Sequence, residues 1–309
     1  MTEQENVKCI ANLTVAISTL NRPEALSFCL DTLLSGQVLP AEVIVVDQSR
    51  NDQTRLVVEQ RQSKAVPLIY IHHGGRGLGA AQNLAIAKAR YPIVAVTDDD
   101  CVPALDWIAR IDQAFASQDR IDALTGRVLP LGLETPGLYA VSSRTSTVRA
   151  EFDSRAMPWY VGSGNNFAVK REGLVRIGGN DERLGPGSPG QGAVDMDLFY
   201  RLLRAGARIR YDPESLVYHA RTSKAGRLAR RIPYGYGMGA CCSLWLRQKD
   251  YHALRVLAHW LLMRVRRLAT GVWRRHWLLA YEEVLVLVGT LRGVIGGFRV
   301  QSKPQQVKL

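Results

Sequence analysis

Hydrophobic residues in the first hundred positions form short, nearly continuous runs separated by stretches with helical periodicity. Four runs predict buried strands, namely NLTVAIST (12–19), AEVIVVDQS (41–49), VPLIYIHH (66–73) and PIVAVTDDD (92–100). Three helices are predicted between them, from Pro23 to about Ser35, over QTRLVVEQRQ (53–62) and over AAQNLAIAKAR (80–90). Strands rich in Val and Ile that alternate with helices are typical of a parallel sheet with both faces covered. The pattern therefore predicts a doubly wound α/β fold with a mostly parallel sheet.

The alternation weakens after residue 125, where Gly, Ser, Asn and Pro become frequent. The elements predicted there are a strand in VGSGNNFAV (161–169), a helix in DMDLFYRLLRAG (195–206) and a closing strand and turn in ARIRYDPESLVYHA (207–220). Gly206 suits the C′ position of that helix. We therefore expect one domain over residues 10–222, with halves at about 10–125 and 126–222, followed by a basic helical region over 223–309.

The C-terminal region differs from the rest of the chain in charge and in periodicity. Residues 221–309 carry 17 Lys and Arg against 3 Asp and Glu, whereas residues 1–220 carry 23 against 25. This excess indicates an anionic partner, such as nucleic acid, anionic lipid or a charged substrate. Apolar residues recur on one helical face from Leu254 to Leu268, and a second apolar segment runs from about Trp273 to Leu291. No run reaches the ~18 residues that a spanning helix needs. Arginine combined with Trp and Leu favours helices lying on a membrane surface, and helices packed on the domain are the alternative.

The cysteines and the N-terminus bear on the compartment. The five cysteines are odd in number and include no C-x-x-C pair, which predicts reduced thiols rather than disulfides or a zinc site. The first nine residues, MTEQENVKC, are polar and acidic, unlike a signal peptide. We therefore expect a cytoplasmic protein, peripheral on the inner face of the cell membrane.

Acidic residues follow two of the predicted strands. Asp47 ends the second strand, and Asp98, Asp99 and Asp100 end the fourth. Ligands of open α/β sheets bind beyond the carboxyl ends of the strands, where these acids meet. Adjacent carboxylates raise one another's pKa unless a cation lies among them, and carboxylate oxygens are the ligands that Mg²⁺ and Mn²⁺ prefer. The triplet therefore predicts a divalent metal that holds a diphosphate. An acidic loop that caps the next helix is the alternative.

A glycine-rich turn, GGRGLGAAQN (74–83), follows the third predicted strand. It is a poor match to the dinucleotide fingerprint, because Gln82 stands where Gly or Ala is required and the turn does not follow the first strand. Arg76 and neighbouring backbone N–H groups are placed to meet a phosphate at a helix N-terminus. A tight turn that only starts a helix explains the glycines equally well.

Five further side chains are candidates for chemistry. Asp195 and Asp197 open one predicted helix and diverge by ~200° around its axis, so one suits a general base and the other the helix start. His219 is a candidate metal or diphosphate ligand if its turn returns to the cleft. Trp159 and Tyr160 are candidates for stacking on a sugar. Structural roles are the alternative for each of them.

These motifs occur together in one known family. VAISTLNRPEAL, EVIVVDQSRNDQT, GLGAAQNLAIAKA, VAVTDDDCVP, GSGNNFAV, GNDERLGPG and VDMDLFYRLLRAG follow one another in an order that resembles family 2 glycosyltransferases. The resemblance covers about residues 12–222. It implies the GT-A fold, a nucleotide-diphosphate sugar donor, Mg²⁺ or Mn²⁺ as cofactor and inversion at the anomeric centre. It also implies that residues 10–125 bind the nucleotide and residues 126–222 the acceptor.

The resemblance also implies roles for individual residues. Asp98 and Asp100 match the D-x-D pair, and Asp195 matches the catalytic base. The family usually has Glu immediately before that base, where this chain has Val194, which weakens one acceptor contact and keeps Asp197 as a lesser candidate. The predicted donor-binding residues are Thr19, Asn21, Arg22, Asp47, Arg76, Asn83, Asp98 and Asp99. The predicted metal ligands are Asp100, Asp98 and His219, and the predicted acceptor contacts are Trp159, Tyr160 and Asp197.

The predicted function is therefore a metal-dependent inverting glycosyltransferase that acts on a saccharide or lipid-linked acceptor, in polysaccharide or glycolipid synthesis. A sugar nucleotidyltransferase is one alternative, although STLNRPEAL replaces the glycine-rich basic signature expected after its first strand. A basic nucleic-acid-binding protein without catalysis is another, but the acidic triplet would repel phosphate. We therefore expect no nucleic-acid partner.

Overall fold

The computed structural model describes residues 8–62 and 65–300. The expectation that the chain has no signal peptide concerns residues 1–7 above all, and these lie outside the described residues. The last nine residues of the basic C-terminal region, 301–309, also lie outside them.

Strands of the described residues form a nine-stranded central sheet and a two-stranded sheet. They are β1 (Cys9–Thr19), β2 (Val38–Asp47), β3 (Leu68–His72), β4 (Ile93–Asp98), β5 (Cys101–Pro103), β6 (Ala123–Pro130), β7 (Leu138–Tyr139), β8 (Ala150–Phe152), β9 (Asn166–Lys170), β10 (Ile209–His219) and β11 (Thr222–Ser223). The central order is β3-β2-β1-β4-β9-β6-β10-β5, with β8 also paired to β10, and β7 pairs with β11.

Helices alternate with the first strands and then dominate the C-terminal part. They are α1 (Pro23–Leu34), α2 (Gln53–Glu59), α3 (Leu78–Lys88), α4 (Trp107–Ala116), α5 (Pro158–Val161), α6 (Arg171–Arg176), α7 (Val194–Arg204), α8 (Lys224–Ala229), α9 (Arg231–Arg247), α10 (His252–Trp273) and α11 (Trp277–Arg299). Pro23 lies in the first turn of α1, where its missing N–H costs nothing. Gly206 follows α7 with a φ of +83°, the left-handed conformation expected at C′.

The predicted doubly wound α/β fold is confirmed. Strands β1 to β4 pair in parallel, and the two sheet faces carry separate cores. Val15 and Ile17 of β1 pack into the core beneath α1 and α4, whereas Ala16 packs into the core beneath α3 and α7. The strand predicted at 161–169 is shorter, and it enters the sheet antiparallel between β4 and β6.

The C-terminal helices share a third core with helix α7. Val194 and Met196 of α7 pack there with Met238 of α9, Trp245 of α9 and Trp260 of α10. Glycines of α9 and α11 face the backbone of the other helix, and a β-carbon at any of them would collide with it; they are Gly235, Gly239, Gly289 and Gly293. The long helices predicted near residues 254–268 and 273–291 are α10 and α11, and the sequence pattern did not predict α9.

Candidate active site

Four potential metal ligands meet where β4, β5 and β10 come together. Strand β4 ends at Asp98, the chain turns through Asp100, and Cys101 then pairs with His219 of β10. One ligand atom from each of these four side chains lies within 4.8 Å of the others. The Nδ1 of His219 donates a hydrogen bond of 2.8 Å to the Ala220 carbonyl oxygen, which only accepts, so Nε2 is the ring nitrogen that can face a metal ion. That Nε2 lies 3.5 Å from Asp100 Oδ1.

The acidic triplet is held by one arginine. Arg22 Nη1 lies 3.0 Å from Asp99 Oδ1 and 2.9 Å from Asp100 Oδ2. Thr19 donates a hydrogen bond of 2.7 Å to the other oxygen of Asp99. Burial raises the pKa of Asp99, and Arg22 and Thr19 oppose that shift. Burial and the charges of Asp100 and Asp99 raise the pKa of Asp98 well above its ordinary value. A single guanidinium therefore leaves the cluster short of positive charge.

Asp195 lies in the first turn of α7. Its Oδ2 accepts a 3.0 Å hydrogen bond from the Gly164 N–H, and its Oδ1 accepts one of 3.0 Å from the Met196 N–H. Burial raises the pKa of Asp195, and the two N–H groups offset part of that shift. Asp195 is also among the charges that raise the pKa of Asp98. The residue matched to the catalytic base therefore shares its electrostatic environment with the predicted metal ligands.

Loops after the first three strands are tied together beside this cluster. Asn21, with a φ of 55°, donates its backbone N–H to Ser49 Oγ at 2.7 Å. Asp47 accepts the Ser49 N–H at 2.8 Å and the Tyr70 hydroxyl at 2.9 Å, and it is buried. Gln48 Nε2 donates to the carbonyl oxygen of Gly75, next to the exposed Arg76. The structure thus brings the predicted nucleotide loops to one edge of the sheet.

Two predicted site residues are occupied elsewhere in the fold. Asn83 uses its amide in three hydrogen bonds, to the backbone N–H and carbonyl of Asn180 and to the Glu182 carboxylate. Asp197 is 2% exposed and accepts hydrogen bonds from Trp245 Nε1 at 2.8 Å and from Arg201 Nε at 2.7 Å. Neither side chain reaches the cleft, because each fastens one element to another. The 200° divergence of Asp195 and Asp197 separates a cleft carboxylate from a structural one.

The two predicted aromatic residues have different environments. Trp159 is half-buried, and its ring centroid lies 5.4 Å from that of Trp260 on α10. Tyr160 is 51% exposed, and its carbonyl oxygen accepts a hydrogen bond from Arg144. Packing explains Trp159, whereas Tyr160 is free to meet a ligand.

Sequence analysis missed three neighbours of the site. Cys101 enters the cluster because β5 pairs with β10, a pairing that no local pattern announces. Gly164 orients Asp195 through its backbone N–H, so no side chain reveals it. Asn165 follows Gly164 and is buried, and its amide has no hydrogen-bond partner in the part of the chain that the structure describes. The motif GSGNN was the available signal for the last two.

The fold and the convergence of acids at the strand ends define the nucleotide-sugar transferase class of α/β proteins known as GT-A. The family profile described as Glycosyl transferase family 2 matches residues 14–172, half of the chain. The chain therefore belongs to glycosyl transferase family 2.

Two curated relatives and one solved structure illustrate the similarity. The chain is 30% identical over 232 residues to a Pre-mycofactocin glycosyltransferase of Mycobacterium tuberculosis, a match that covers 71% of this chain and 45% of the relative. It is 26% identical to the O-antigen chain rhamnosyltransferase RfbN of Salmonella typhimurium, covering 77% of this chain and 75% of that one. The mannosyltransferase PcManGT from Pyrobaculum calidifontis, solved with GDP-Man and Mn²⁺, superimposes with a TM-score of 0.62 at 21% identity, covering 91% of this chain and 87% of that chain. The chain spans about half the length of the first of these relatives.

Proposed function

We propose that this protein is an inverting, metal-dependent glycosyltransferase that moves a sugar from a nucleotide-diphosphate donor to an acceptor hydroxyl, in polysaccharide or glycolipid synthesis. One observation carries the proposal: the ligand atoms of Asp98, Asp100 and His219 converge within 4.8 Å of one another at the carboxyl end of β4. Membership of glycosyl transferase family 2 and the likeness to a fold solved with GDP-Man and Mn²⁺ support it.

The residues present fit a hard divalent cation. Asp98 and Asp100 supply carboxylate oxygens, and His219 supplies its Nε2, a donor set that suits Mg²⁺ or Mn²⁺. Burial raises the pKa of the Cys101 thiol, so Cys101 stays protonated and is a poor ligand for such an ion. A bound cation would neutralise charge on the diphosphate leaving group.

The chain's own residues supply positioning and proton transfer. Asp195 takes the proton of the acceptor hydroxyl, and the Gly164 and Met196 N–H groups, which each bind one of its oxygens, hold the carboxylate in position. Thr19 and Arg22 orient Asp99 and Asp100, and these contacts hold the loops after β1 and β4 in a fixed position relative to each other. Direct attack by the acceptor needs no covalent intermediate, and it inverts the anomeric carbon.

A screen of nucleotide sugars tests the proposal. UDP-glucose, UDP-N-acetylglucosamine, GDP-mannose and dTDP-rhamnose are each incubated with the full chain, with Mn²⁺ or with EDTA. Hydrolysis of at least one donor in Mn²⁺ only is expected. Release of pyrophosphate from a nucleoside triphosphate and a sugar phosphate would instead indicate the nucleotidyltransferase. The proposal fails if calorimetry detects no Mn²⁺-linked binding of any donor.

We also propose that helix α11 rests on the surface of an anionic bilayer. We find no helix in residues 8–62 and 65–300 whose length and hydropathy would carry it through a membrane. Seven apolar side chains of α11 recur every three or four residues along one face and are 36–65% exposed; they are Trp277, Tyr281, Val284, Val288, Leu291, Ile295 and Phe298. A face of this kind inserts into the headgroup region of a bilayer.

Charge complementarity selects the bilayer as the occupant. From His252 to Val300 the acidic residues are Glu282 and Glu283, both of which are buried. The exposed arginines of this segment are Arg255, Arg266, Arg267, Arg274, Arg275, Arg292 and Arg299. A second copy of the face would bring like charges together, whereas anionic headgroups would neutralise them. Sedimentation with anionic vesicles but not with zwitterionic ones is expected, and a concentration-dependent dimer without vesicle binding would contradict the proposal.

A further inference from the structure

Asn165 is a buried amide without a partner. Its side chain is 2% exposed, and within the described residues neither Nδ2 nor Oδ1 has a hydrogen-bond partner. Buried side-chain amides in folded proteins are nearly always hydrogen-bonded, so an amide left free at both ends requires an explanation. The neighbouring Asn166 shows the ordinary case, since its amide accepts from Trp107 Nε1 and donates to two backbone carbonyls.

The position of Asn165 explains it. Strands β4 and β9 pair antiparallel, and Thr97 opposite Asn166 is the last pair of their register. Asp98 directly follows Thr97, and Asn165 directly precedes Asn166, in the turn that leads into β9. Both residues therefore lie just beyond the same end of this strand pairing.

The other neighbour of Asn165 is the residue that orients the proposed base. The N–H of Gly164 donates to Asp195 Oδ2 at 3.0 Å. Asn165 therefore lies one residue from the N–H that holds the proposed base, Asp195, and one residue from the end of the strand pairing that leads to Asp98. In the proposed reaction the transferred sugar lies in this region, because its anomeric carbon connects the diphosphate and the acceptor oxygen.

The chemistry of the free amide selects the ligand. Nδ2 can only donate hydrogen bonds and Oδ1 can only accept them. A phosphate oxygen would satisfy Nδ2 alone, and a cation would satisfy Oδ1 alone. Sugar hydroxyl groups both donate and accept, so they can satisfy the whole amide. We propose that the Asn165 side chain binds hydroxyl groups of the sugar that is transferred, and so contributes to selection of the donor sugar; this inference rests on the proposed function.

Burial without a partner is not enough by itself, as Asn180 shows. Its side-chain amide is also buried, and it has no hydrogen-bond partner among the described residues. Asn180, however, lies in the loop after α6, where its backbone is hydrogen-bonded to the Asn83 side chain of α3, and it is not part of the strand pairing that leads to Asp98. Asn180 therefore serves as the matched control for the loss of a buried amide.

The experiment compares two ligands on the same variants. Affinities of the full chain in Mn²⁺ are measured by calorimetry for a nucleotide sugar that the wild type hydrolyses and for the matching nucleoside diphosphate. Asn165→Ala should weaken binding of the nucleotide sugar about tenfold, the effect of one or two lost hydrogen bonds. Binding of the nucleoside diphosphate should stay unchanged. Asn180→Ala should leave the ratio of the two affinities as it is in the wild type.

A second variant protects the test against misfolding. Asn165→Asp is nearly isosteric, keeps the acceptor Oδ1 and replaces the donor Nδ2 with a second acceptor, so it too should bind the nucleotide sugar less tightly relative to the diphosphate. A deoxygenated donor that lacks the contacted hydroxyl should bind the wild type and Asn165→Ala equally. Equal loss of both ligands, or no loss of either, in the folded variants would overturn the inference. Failure of the wild type to bind any nucleotide sugar would instead overturn the proposed function.

Discussion

Two clusters of acidic residues in this protein are neutralised to very different degrees. At the sheet edge, Asp98, Asp99 and Asp100 share the guanidinium of Arg22 among the residues that the structure describes, with His219 beside them. Between the C-terminal helices, two buried glutamates have four arginines. Glu282 is paired with Arg227 and Arg231, and Glu283 with Arg264 and Arg267.

The contrast separates a cluster that completes the fold from one that requires a ligand. Buried carboxylates are costly unless they are paired, and the glutamates are paired twice over. Their role ends with holding α8, α9, α10 and α11 together. The aspartates keep a deficit of positive charge at the strand ends, where ligands of this fold bind. The sequence alone shows adjacent acidic residues in both clusters, and only the number of arginine partners in the fold distinguishes the two.

Helix α7 carries two aspartates with different proposed roles, Asp195 as the catalytic base and Asp197 as a structural residue, and substituting each of them gives the largest expected difference. Asp195→Asn should lower turnover about 100- to 10,000-fold, because a positioned general base contributes about that much. Donor affinity and the melting temperature should stay near those of the wild type. Asp197→Asn should lower the melting temperature instead, because it weakens the anchor of Arg201 and Trp245. Comparable turnover in Asp195→Asn and the wild type would remove Asp195 from its role as base.

The pH dependence of turnover examines the same carboxylate. Burial raises the pKa of Asp195 above its ordinary value of 3.8, and the base acts only when it is deprotonated. Turnover should therefore fall as the pH drops towards that raised pKa, by up to tenfold per pH unit below it. Residual activity of Asp195→Asn should lack this acidic limb, and an identical limb in the variant would assign the titration to another group.

The glutamate cluster predicts a loss of stability without a loss of chemistry. Glu283→Gln leaves the buried Arg264 without its carboxylate, so the free energy of unfolding should fall by about 3–5 kcal/mol. Arg267→Gln removes a partner that is 53% exposed, and the fall should be at most about 1 kcal/mol. Denaturant unfolding measures both. A fall of less than about 1 kcal/mol for Glu283→Gln would contradict the prediction, because it would show that Arg264 does not depend on the Glu283 carboxylate.

The aspartate cluster predicts the opposite behaviour towards added metal. Mn²⁺ at about 100 times its dissociation constant should stabilise the wild type by about 2.7 kcal/mol, because it binds only the folded cluster. Asp98→Asn should abolish that gain while stabilising the metal-free protein, since it relieves the repulsion by Asp99 and Asp100. Thermal melts with Mn²⁺ and with EDTA distinguish these effects. Equal Mn²⁺ stabilisation of the wild type and the variant would move the metal away from Asp98.

Local patterns predicted the first half of this fold because β1, β2 and β4 are largely buried on both faces and Pro23 marks the start of α1. The run from Ile93 to Asp98 ends in a change from apolar to acidic that needs no tertiary information. The same logic predicted that Asp47 and the acidic triplet share one edge of the sheet, since parallel strands expose one common edge. Asp195, by contrast, was matched to the base only through the family resemblance.

Pairing across long sequence distances accounts for what the sequence did not predict. Strand β9 enters the sheet antiparallel to β4, and this register brings Asn166, the neighbour of Asn165, opposite Thr97, the neighbour of Asp98. Asn83 looked like a donor contact because it follows the glycine turn, yet Asn180, 97 positions away, takes its amide. Helix α9 was missed because its glycines depress helix propensity, while close packing on α11 compensates for them.

The apolar face of α11 gives the smallest expected effect and tests whether the C-terminal helices do more than complete the fold. Ile295 is 60% exposed on that face, so Ile295→Ser should weaken binding to anionic vesicles about tenfold, the effect of about 1.5 kcal/mol of apolar transfer. Leu133 is more exposed but lies between β6 and β7, and Leu133→Ser should bind as the wild type does. Neither substitution should alter the melting temperature, because neither side chain is buried. If both variants sediment with vesicles like the wild type, the face of α11 has another partner, and the arginines around it serve only the helices themselves.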